Sequence, residues 1–247
     1  MIGRICWICR RGWSWCIDRI GVVGRVALPP AVGDDRAGRY RSWMSGALRH
    51  AAVVTWHIDT LVNDALAGVW GREHSLTLHK LAGESRDHVV LKLCGALCLA
   101  HRTGSGDRLR VEAPLRVVGY KPDVVVTDPS ERPIAWVECG DVSVHKLDRL
   151  TRALGGDVVV QVMKNGLKPA RELARALTAI ARPERVVVIG FVPDGIAALG
   201  EALEPRSRSS VVATISSARG DDDTLELAIA VDDNAVLVRG RRFVVTP

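Results

Sequence analysis

Between residues 120 and 165, the pattern of apolar and polar residues is typical of β-strands in some segments and of an α-helix in another. Three β-branched runs predict buried strands, and turn residues at Asp128-Pro129-Ser130 separate the first two of them. A stretch with apolar side chains at helical spacing follows, and Gly155-Gly156 ends it. The strands are predicted at 121–127, 134–139 and 158–163, and the helix at 144–154. This segment predicts the centre of an α/β (α+β) fold with a mixed sheet flanked by helices.

The same periods predict elements on both sides of this centre. Strands are expected at 47–57, 74–80, 109–118, 186–191, 211–216, 225–231, 235–239 and 243–246, and helices at 84–101, 167–180 and 194–203. Residues 58–72 show no clear period and are expected to be irregular. The helix at 84–101 has one apolar stripe, with Glu84 and Asp87 in its first turn. The N-terminal and C-terminal strands are expected to form a second, antiparallel sheet.

Residues 1–43 differ from the rest of the chain in composition. They hold four of the seven Trp, half of the Cys, and no sustained period. Arginines interrupt the apolar residues, which argues against a signal peptide, and Cys6, Cys9 and Cys16 lack a fourth ligand at a zinc-site spacing. We expect a non-native or poorly ordered extension translated upstream of Met44, with 44–247 as a single domain.

The distribution of charge along the chain bears on whether its net charge attracts nucleic acid. The formal net charge is +6, but residues 1–43 contribute eight Arg and three Asp, so 44–247 carry about +1. The net charge of 44–247 therefore gives no support for nucleic acid as a partner. No stretch is long and apolar enough to predict a membrane span, and no P-loop, dinucleotide fingerprint or HExxH motif occurs.

The other three cysteines, Cys94, Cys98 and Cys139, lie in apolar patterns. They are expected to be reduced, buried and small hydrophobic side chains. This pattern predicts a cytoplasmic protein without disulfides.

Two carboxylates, Asp123 and Glu138, fall on the first two central strands, which are otherwise apolar. Unpaired acids are costly among valines, so these two are expected to be paired, to lie at exposed strand ends, or to hold a cation. Carboxylates beside a backbone carbonyl suit a hard ion such as Mg²⁺ or Mn²⁺. Such an ion polarises phosphate and activates water.

A Pro-Asp pair followed by a Glu on the next strand resembles the PD-(D/E)XK nuclease pattern, and within that superfamily the chain resembles the YaeQ family. The segments that carry the resemblance are HSLTL (74–78), ESRDHVVLKLCGALCLA (84–100), KPDVVVTDPSERPIAWVECG (121–140) and HKLDRL (145–150). Their order extends the resemblance from about Ala47 to the C-terminus. It implies a restriction-endonuclease-like sheet and a metal site formed by Asp123, Glu138 and the backbone carbonyl of Cys139.

The chain departs from the superfamily pattern at one position. The pattern has Glu-x-Lys on the second strand, whereas the chain reads Glu138-Cys139-Gly140. YaeQ-like proteins share this glycine and place a basic residue on the next helix, so the resemblance implies Lys146 as the catalytic lysine. It also implies Glu84 as an auxiliary acid.

Two functions stay open at this stage. The first is a metal-dependent phosphodiesterase or nuclease with Asp123, Glu138 and Lys146 as its site and an undefined substrate. The second is a catalytically inactive nuclease-fold module that binds protein or nucleic acid, and the missing lysine and the near-neutral charge favour it. Ion pairs of Asp123 or Glu138 with lysine are the structural alternative to a metal site.

Overall fold

The computed structural model describes residues 5–9, 13–17, 23–27, 52–104, 106–203, 208–218 and 221–246. The chain divides into two compact units, Met1–Ser45 and Gly46–Pro247. In the first unit, β1 (Ile5–Cys9), β2 (Trp13–Ile17) and β3 (Val23–Ala27) form an antiparallel sheet in the order β1-β2-β3. The sequence pattern did not predict these strands. The expectation for Met44 lies outside the described residues, and the extension itself stays a prediction.

The described residues of the second unit form ten strands and four α-helices. The strands are β4 (Ala52–Asp64), β5 (Val69–Leu81), β6 (Arg108–Val111), β7 (Val124–Thr127), β8 (Pro133–Cys139), β9 (Val159–Asn165), β10 (Val186–Phe191), β11 (Ser209–Ala218), β12 (Asp221–Val231) and β13 (Asn234–Val244). The helices are α1 (Arg86–Leu99), α2 (Val144–Ala153), α3 (Leu167–Leu177) and α4 (Pro193–Ala202), with short 3₁₀ turns at Ala100–Arg102 and Pro183–Arg185. None of these described helices is long and apolar enough to cross a membrane.

All ten strands belong to one mixed sheet, in the order β5-β4-β11-β12-β13-β10-β9-β8-β7-β6. The pairs β8–β9, β9–β10 and β4–β11 are parallel, and the others are antiparallel. The edge strands β5 and β6 contact each other, so the sheet is nearly closed. The predicted pairing of N-terminal with C-terminal strands is confirmed, but the prediction of a separate second sheet is wrong because β13 also pairs with β10.

Helix α1 lies against the concave side of this curled sheet and is buried on every side from Val89 to Leu99. It packs against β5, β6, β7, β8, β9 and α4. The predicted single apolar stripe is therefore wrong, since a helix that is apolar all round is a buried helix. On the convex side, α2 and α3 cover a second core that includes Trp136, Leu147 and Leu177. Because both faces of the central strands are covered, their sequences read as continuous apolar runs.

Three predicted elements differ from the structure for local reasons. Residues 58–72 are not irregular, because β4 and β5 form a long hairpin whose turn is closed by Asp64 Oδ1, which accepts the N–H groups of Leu66 and Ala67. The strand predicted at 109–118 ends at Val111, since Glu112 has a left-handed backbone (φ 50°). The strands predicted at 235–239 and 243–246 are one strand, β13.

Cys94, Cys98 and Cys139 are free and buried, as the sequence predicts. Burial raises the pKa of Cys98 to about 12. The thiol therefore stays protonated at neutral pH and packs as a small hydrophobe.

Candidate functional site

The predicted acids are brought to one end of the antiparallel pair β7–β8. Asp123 directly precedes β7, and its backbone continues the sheet: its N–H donates to Val137 O (3.1 Å), and its carbonyl accepts from Glu112 N (2.8 Å). Glu138 is the penultimate residue of β8. Glu138 therefore lies within β8, whereas Asp123 lies one residue before the adjacent strand β7 and not within the longer strand predicted from residue 121.

The carboxylate of Asp123 is held at the end of the sheet. Its Oδ2 accepts the backbone N–H of Cys139 at 2.7 Å, and its Oδ1 lies 3.6 Å from His88 Nε2 on α1. Burial alone would raise the pKa of Asp123, but the contact with His88 and the hydrogen bond from Cys139 outweigh it and lower the pKa below its usual value. Asp123 is therefore ionised at neutral pH.

Glu138 has a different set of partners. Residues 135, 137 and 139 of β8 belong to the core around α1, whereas Trp136 belongs to the core under α2 and α3, so Glu138 follows Trp136 on the convex side. Its Oε1 accepts from Trp136 Nε1 at 2.9 Å, and its Oε2 accepts from Lys146 Nζ at 2.5 Å. Burial raises the pKa of Glu138 against these two hydrogen bonds, and the nearby charge of Asp123 raises it further.

Lys146 reaches the site from α2, which begins three residues after Asp141. Ser143 caps this helix, because its Oγ accepts the backbone N–H of Lys146. The ammonium of Lys146 contacts Glu138 and lies 5.3 Å from the centroid of the Tyr120 ring. The predicted partnership of Lys146 with Glu138 is present as an ion pair.

Glu84 lies just before α1 rather than in its first turn, since Ser85 is the N-cap residue. Its Oε1 lies 3.4 Å from His88 Nε2 and also contacts Lys92 Nζ, while its Oε2 accepts the N–H of Leu81 at 2.9 Å. His88 thus lies between Glu84 and Asp123. His88, which the sequence analysis did not assign to the site, therefore links Glu84 to Asp123; the role of Glu84 as an auxiliary acid stays a prediction.

A buried lysine is the largest feature that the sequence analysis missed. Lys92 is 2 % exposed, and its ammonium contacts Glu84 and Glu112, the latter at 2.5 Å. Burial opposes its charge, but the two carboxylates outweigh burial and raise the pKa of Lys92. Glu84, His88 and Lys92 are spaced four residues apart, with His88 and Lys92 on α1 and Glu84 just before it. This polar spacing in an otherwise apolar segment was the available sequence signal.

Two adjoining grooves open onto these residues. One, of about 580 Å³, is lined by Glu84, His88, Lys92, Glu112, Lys121 and Asp123 among others. The other, of about 310 Å³, lies at the carboxyl ends of β8 and β9 and has Gly140, Asp141, Lys164 and Asn165 in its wall. Ser85 and His88 line both grooves, so His88 stands where they meet.

The donors present determine whether a metal fits. Among the described residues, no group of three or more His, Cys, Asp or Glu side chains could hold a metal ion. Mg²⁺ does not require such a group, because it usually keeps several waters and takes one or two carboxylates together with substrate phosphate. Asp123 and Glu138 fit that smaller set, provided that Lys146 gives up Glu138 Oε2.

Comparison with known proteins finds solved structures with a similar fold. The crystal structure of the YaeQ protein from Xanthomonas axonopodis pv. citri matches with a TM-score of 0.53 and 18% identity, over 76% of this chain and 97% of that one. The YaeQ protein from Pseudomonas syringae matches with a TM-score of 0.56 and 15% identity, over 77% of this chain and 95% of that one. Neither the family models nor the curated proteins searched gave a match. The resemblance to YaeQ is thus confirmed in three dimensions: the chain has the fold of the YaeQ proteins.

Proposed function

We propose that the chain is a YaeQ-family protein with a variant PD-(D/E)XK site, which binds Mg²⁺ or Mn²⁺ through Asp123 and Glu138 and hydrolyses a phosphodiester. The observation that carries this proposal is the position of the two carboxylates at the shared end of β7 and β8. Asp123 accepts the N–H of Cys139, the residue after Glu138, and the pKa values of the two acids are displaced in opposite directions. Such a displacement is typical of acids with separate roles in one site.

The side chains of the site have separable roles. Asp123, fixed by the Cys139 N–H and already ionised, is the first ligand. Glu138 is the second, and Lys146 neutralises it until it binds the ion. When bound, the ion would polarise a phosphate oxygen and acidify a water molecule. The Cys139 backbone carbonyl stays the predicted third oxygen ligand.

Divalent-cation binding by the full chain tests this proposal. Titration calorimetry with Mn²⁺ should give a binding heat for the wild type that disappears in an Asp123→Asn, Glu138→Gln double variant. A double variant of two exposed acids, Glu172→Gln and Glu201→Gln, removes the same charge and should bind like the wild type. Hydrolysis of bis(p-nitrophenyl) phosphate with Mn²⁺ should follow the same order.

A second function has its own supporting observation. Each acid other than Asp123 is already paired with a lysine: Glu138 with Lys146, and Glu84 and Glu112 with Lys92. Ion pairs of this kind can maintain the fold after catalysis is lost, and a fold does not fix a function. A wild type that binds neither Mn²⁺ nor Mg²⁺ would favour a non-catalytic module that binds protein or nucleic acid.

A further inference from the structure

Position 140, where the superfamily pattern has lysine, cannot accept a side chain without rearrangement. Gly140 has φ +68°, a left-handed conformation that favours glycine. A Cβ atom at this position would lie 2.9 Å from His88 Nδ1, which is closer than real contacts allow. His88 therefore occupies the space beside position 140, and an ammonium group has to come from elsewhere in the chain.

The neighbouring strand carries a lysine at the matching position. In the parallel pair β8–β9, Glu138 is opposite Val162 and Cys139 is opposite Met163, so the next step along both strands reaches Gly140 and Lys164. Alternation along β9 puts Lys164 on the side of Val160 and Val162, the same side as Glu138. Lys164 Nζ donates to the carbonyl oxygen of Gly140 at 3.0 Å.

We propose that Lys164 supplies, from β9, the ammonium group that the Glu-x-Lys pattern places at position 140, and that this group binds a phosphate of the substrate. The identity of that phosphate as substrate rests on the proposed phosphodiesterase function. Lys164 is 9 % exposed and lines the groove of about 310 Å³ at the carboxyl ends of β8 and β9. Crevices at the carboxyl ends of parallel strands are where α/β sheets commonly bind ligands.

The partners of Lys164 leave its ammonium available. An ammonium group has three N–H donors, and in the described part of the chain two of them have partners, Gly140 O and Asp141 Oδ1 (both 3.0 Å). The side chain of Asp141 is fully exposed, and ion pairs with exposed carboxylates are weak. A phosphate can therefore take the third donor and displace Asp141.

Two other lysines of the site are less available. Lys146 is paired with the buried carboxylate of Glu138, and Lys92 is held between Glu84 and Glu112. Withdrawing either ammonium would leave a buried carboxylate without its cation, which is costly. Among these three lysines, Lys164 is the one whose carboxylate partner is in solvent.

Calorimetric titration of the full chain with inorganic phosphate, in buffer free of divalent metal, tests the proposal apart from the metal site. Lys164→Gln keeps a donor for Gly140 O but removes the charge, and it should weaken phosphate binding about tenfold or more. Lys168→Gln, at an exposed lysine of α3, makes the same charge change and should leave the affinity within about twofold. Absence of phosphate binding by the wild type, or equal effects of the two variants, would overturn the proposal.

A second measurement, on the wild type, tests phosphate binding by Lys164 without relying on the folding of Lys164→Gln. Saturating phosphate should slow reductive methylation of Lys164 severalfold relative to Lys168, as followed by peptide mass spectrometry; an unchanged ratio would contradict the proposal. Mn²⁺ titration separates the two claims. A wild type that binds phosphate through Lys164 but binds no Mn²⁺ refutes the metal site and supports the phosphate site.

Discussion

The glycine at position 140 gives the sharpest quantitative prediction, because two separate costs of substitution can be measured independently. Gly140→Ala places an L-residue in the left-handed region, at about 1–2 kcal/mol. It also forces the His88 ring, 2.9 Å from the new Cβ, out of its position, at about 0.5–1.5 kcal/mol for an off-rotamer side chain. The expected loss in the free energy of unfolding is therefore about 1.5–3.5 kcal/mol.

A nearby glycine supplies the matched control. Gly83 also has a left-handed backbone (φ +82°), but a Cβ there would meet nothing within 4 Å. Gly83→Ala should therefore cost only the backbone term of about 1–2 kcal/mol. In a His88→Ala background, Gly140→Ala should fall to the same cost, whereas the cost of Gly83→Ala should not change.

Urea unfolding of the full chain, followed by circular dichroism, measures all of these variants as a double-mutant cycle. If Gly140→Ala costs no more than Gly83→Ala, or if its cost is independent of His88, the steric argument is wrong. The same argument predicts that Gly140→Lys, which restores the Glu-x-Lys sequence pattern, lowers the free energy of unfolding.

Three further predictions concern buried charges, each measured by urea unfolding. Lys92→Met should lower the free energy of unfolding by about 3–5 kcal/mol, because it removes the buried ammonium group that contacts both Glu84 and Glu112. Adding Glu84→Gln and Glu112→Gln should recover most of that loss; no recovery would contradict the ion-pair explanation. Arg185→Ala should cost about 2–4 kcal/mol, because four backbone carbonyls around the end of α2 lose their shared donor, and a cost below about 1 kcal/mol would show that water replaces it. The folded-state pKa of Asp123 is lowered, so its carboxylate stabilises the fold above about pH 4 and loses that effect as the pH falls through the folded-state pKa. The difference in the free energy of unfolding between the wild type and Asp123→Asn should therefore be larger near pH 6 than near pH 2.5. A constant difference would refute the assigned direction of the pKa shift.

The central elements were predictable because local chemistry determines them. The strands at 124–127 and 133–139 are β-branched or apolar runs interrupted by Pro and Asp, and the strand at 186–191 matches its prediction at both ends. The helices at 144–153 and 167–177 carry one apolar face, so their period is visible in the sequence. These elements need no knowledge of the rest of the chain.

The order in which the strands pair in the sheet could not be predicted from local patterns. The pairing of β13 with both β12 and β10 joins the terminal strands to the central ones, and it depends on contacts between segments far apart in sequence. The burial of α1 on all sides is a consequence of the curled sheet, because no single helix reveals how many faces its neighbours will cover. A period-based prediction therefore assigned α1 one stripe and the terminal strands a sheet of their own.

The candidate site likewise contains residues that the sequence revealed and one that only the structure revealed. Asp123 and Glu138 were identifiable because acids are conspicuous in apolar strands, and Lys146 followed from the resemblance. Lys164 carries no comparable signal, since it is a charged residue at the end of a strand, where charges are ordinary. Its relevance appears only once the parallel register puts it beside Gly140.

The near-neutral charge of residues 44–247 is compatible with a site for phosphate, because local pairing decides the field in a groove. Lys92, Lys121 and Lys146 pair with Glu84, Glu112 and Glu138 within the structure, so those charges cancel over a few ångströms. The partner of Lys164 is instead solvated, and water screens its charge. A lysine whose carboxylate partner is exposed to solvent therefore lies at the carboxyl ends of β8 and β9, in a groove that also contains Asp87, Asp141 and His88. The net charge of the chain gives no indication of this local pairing.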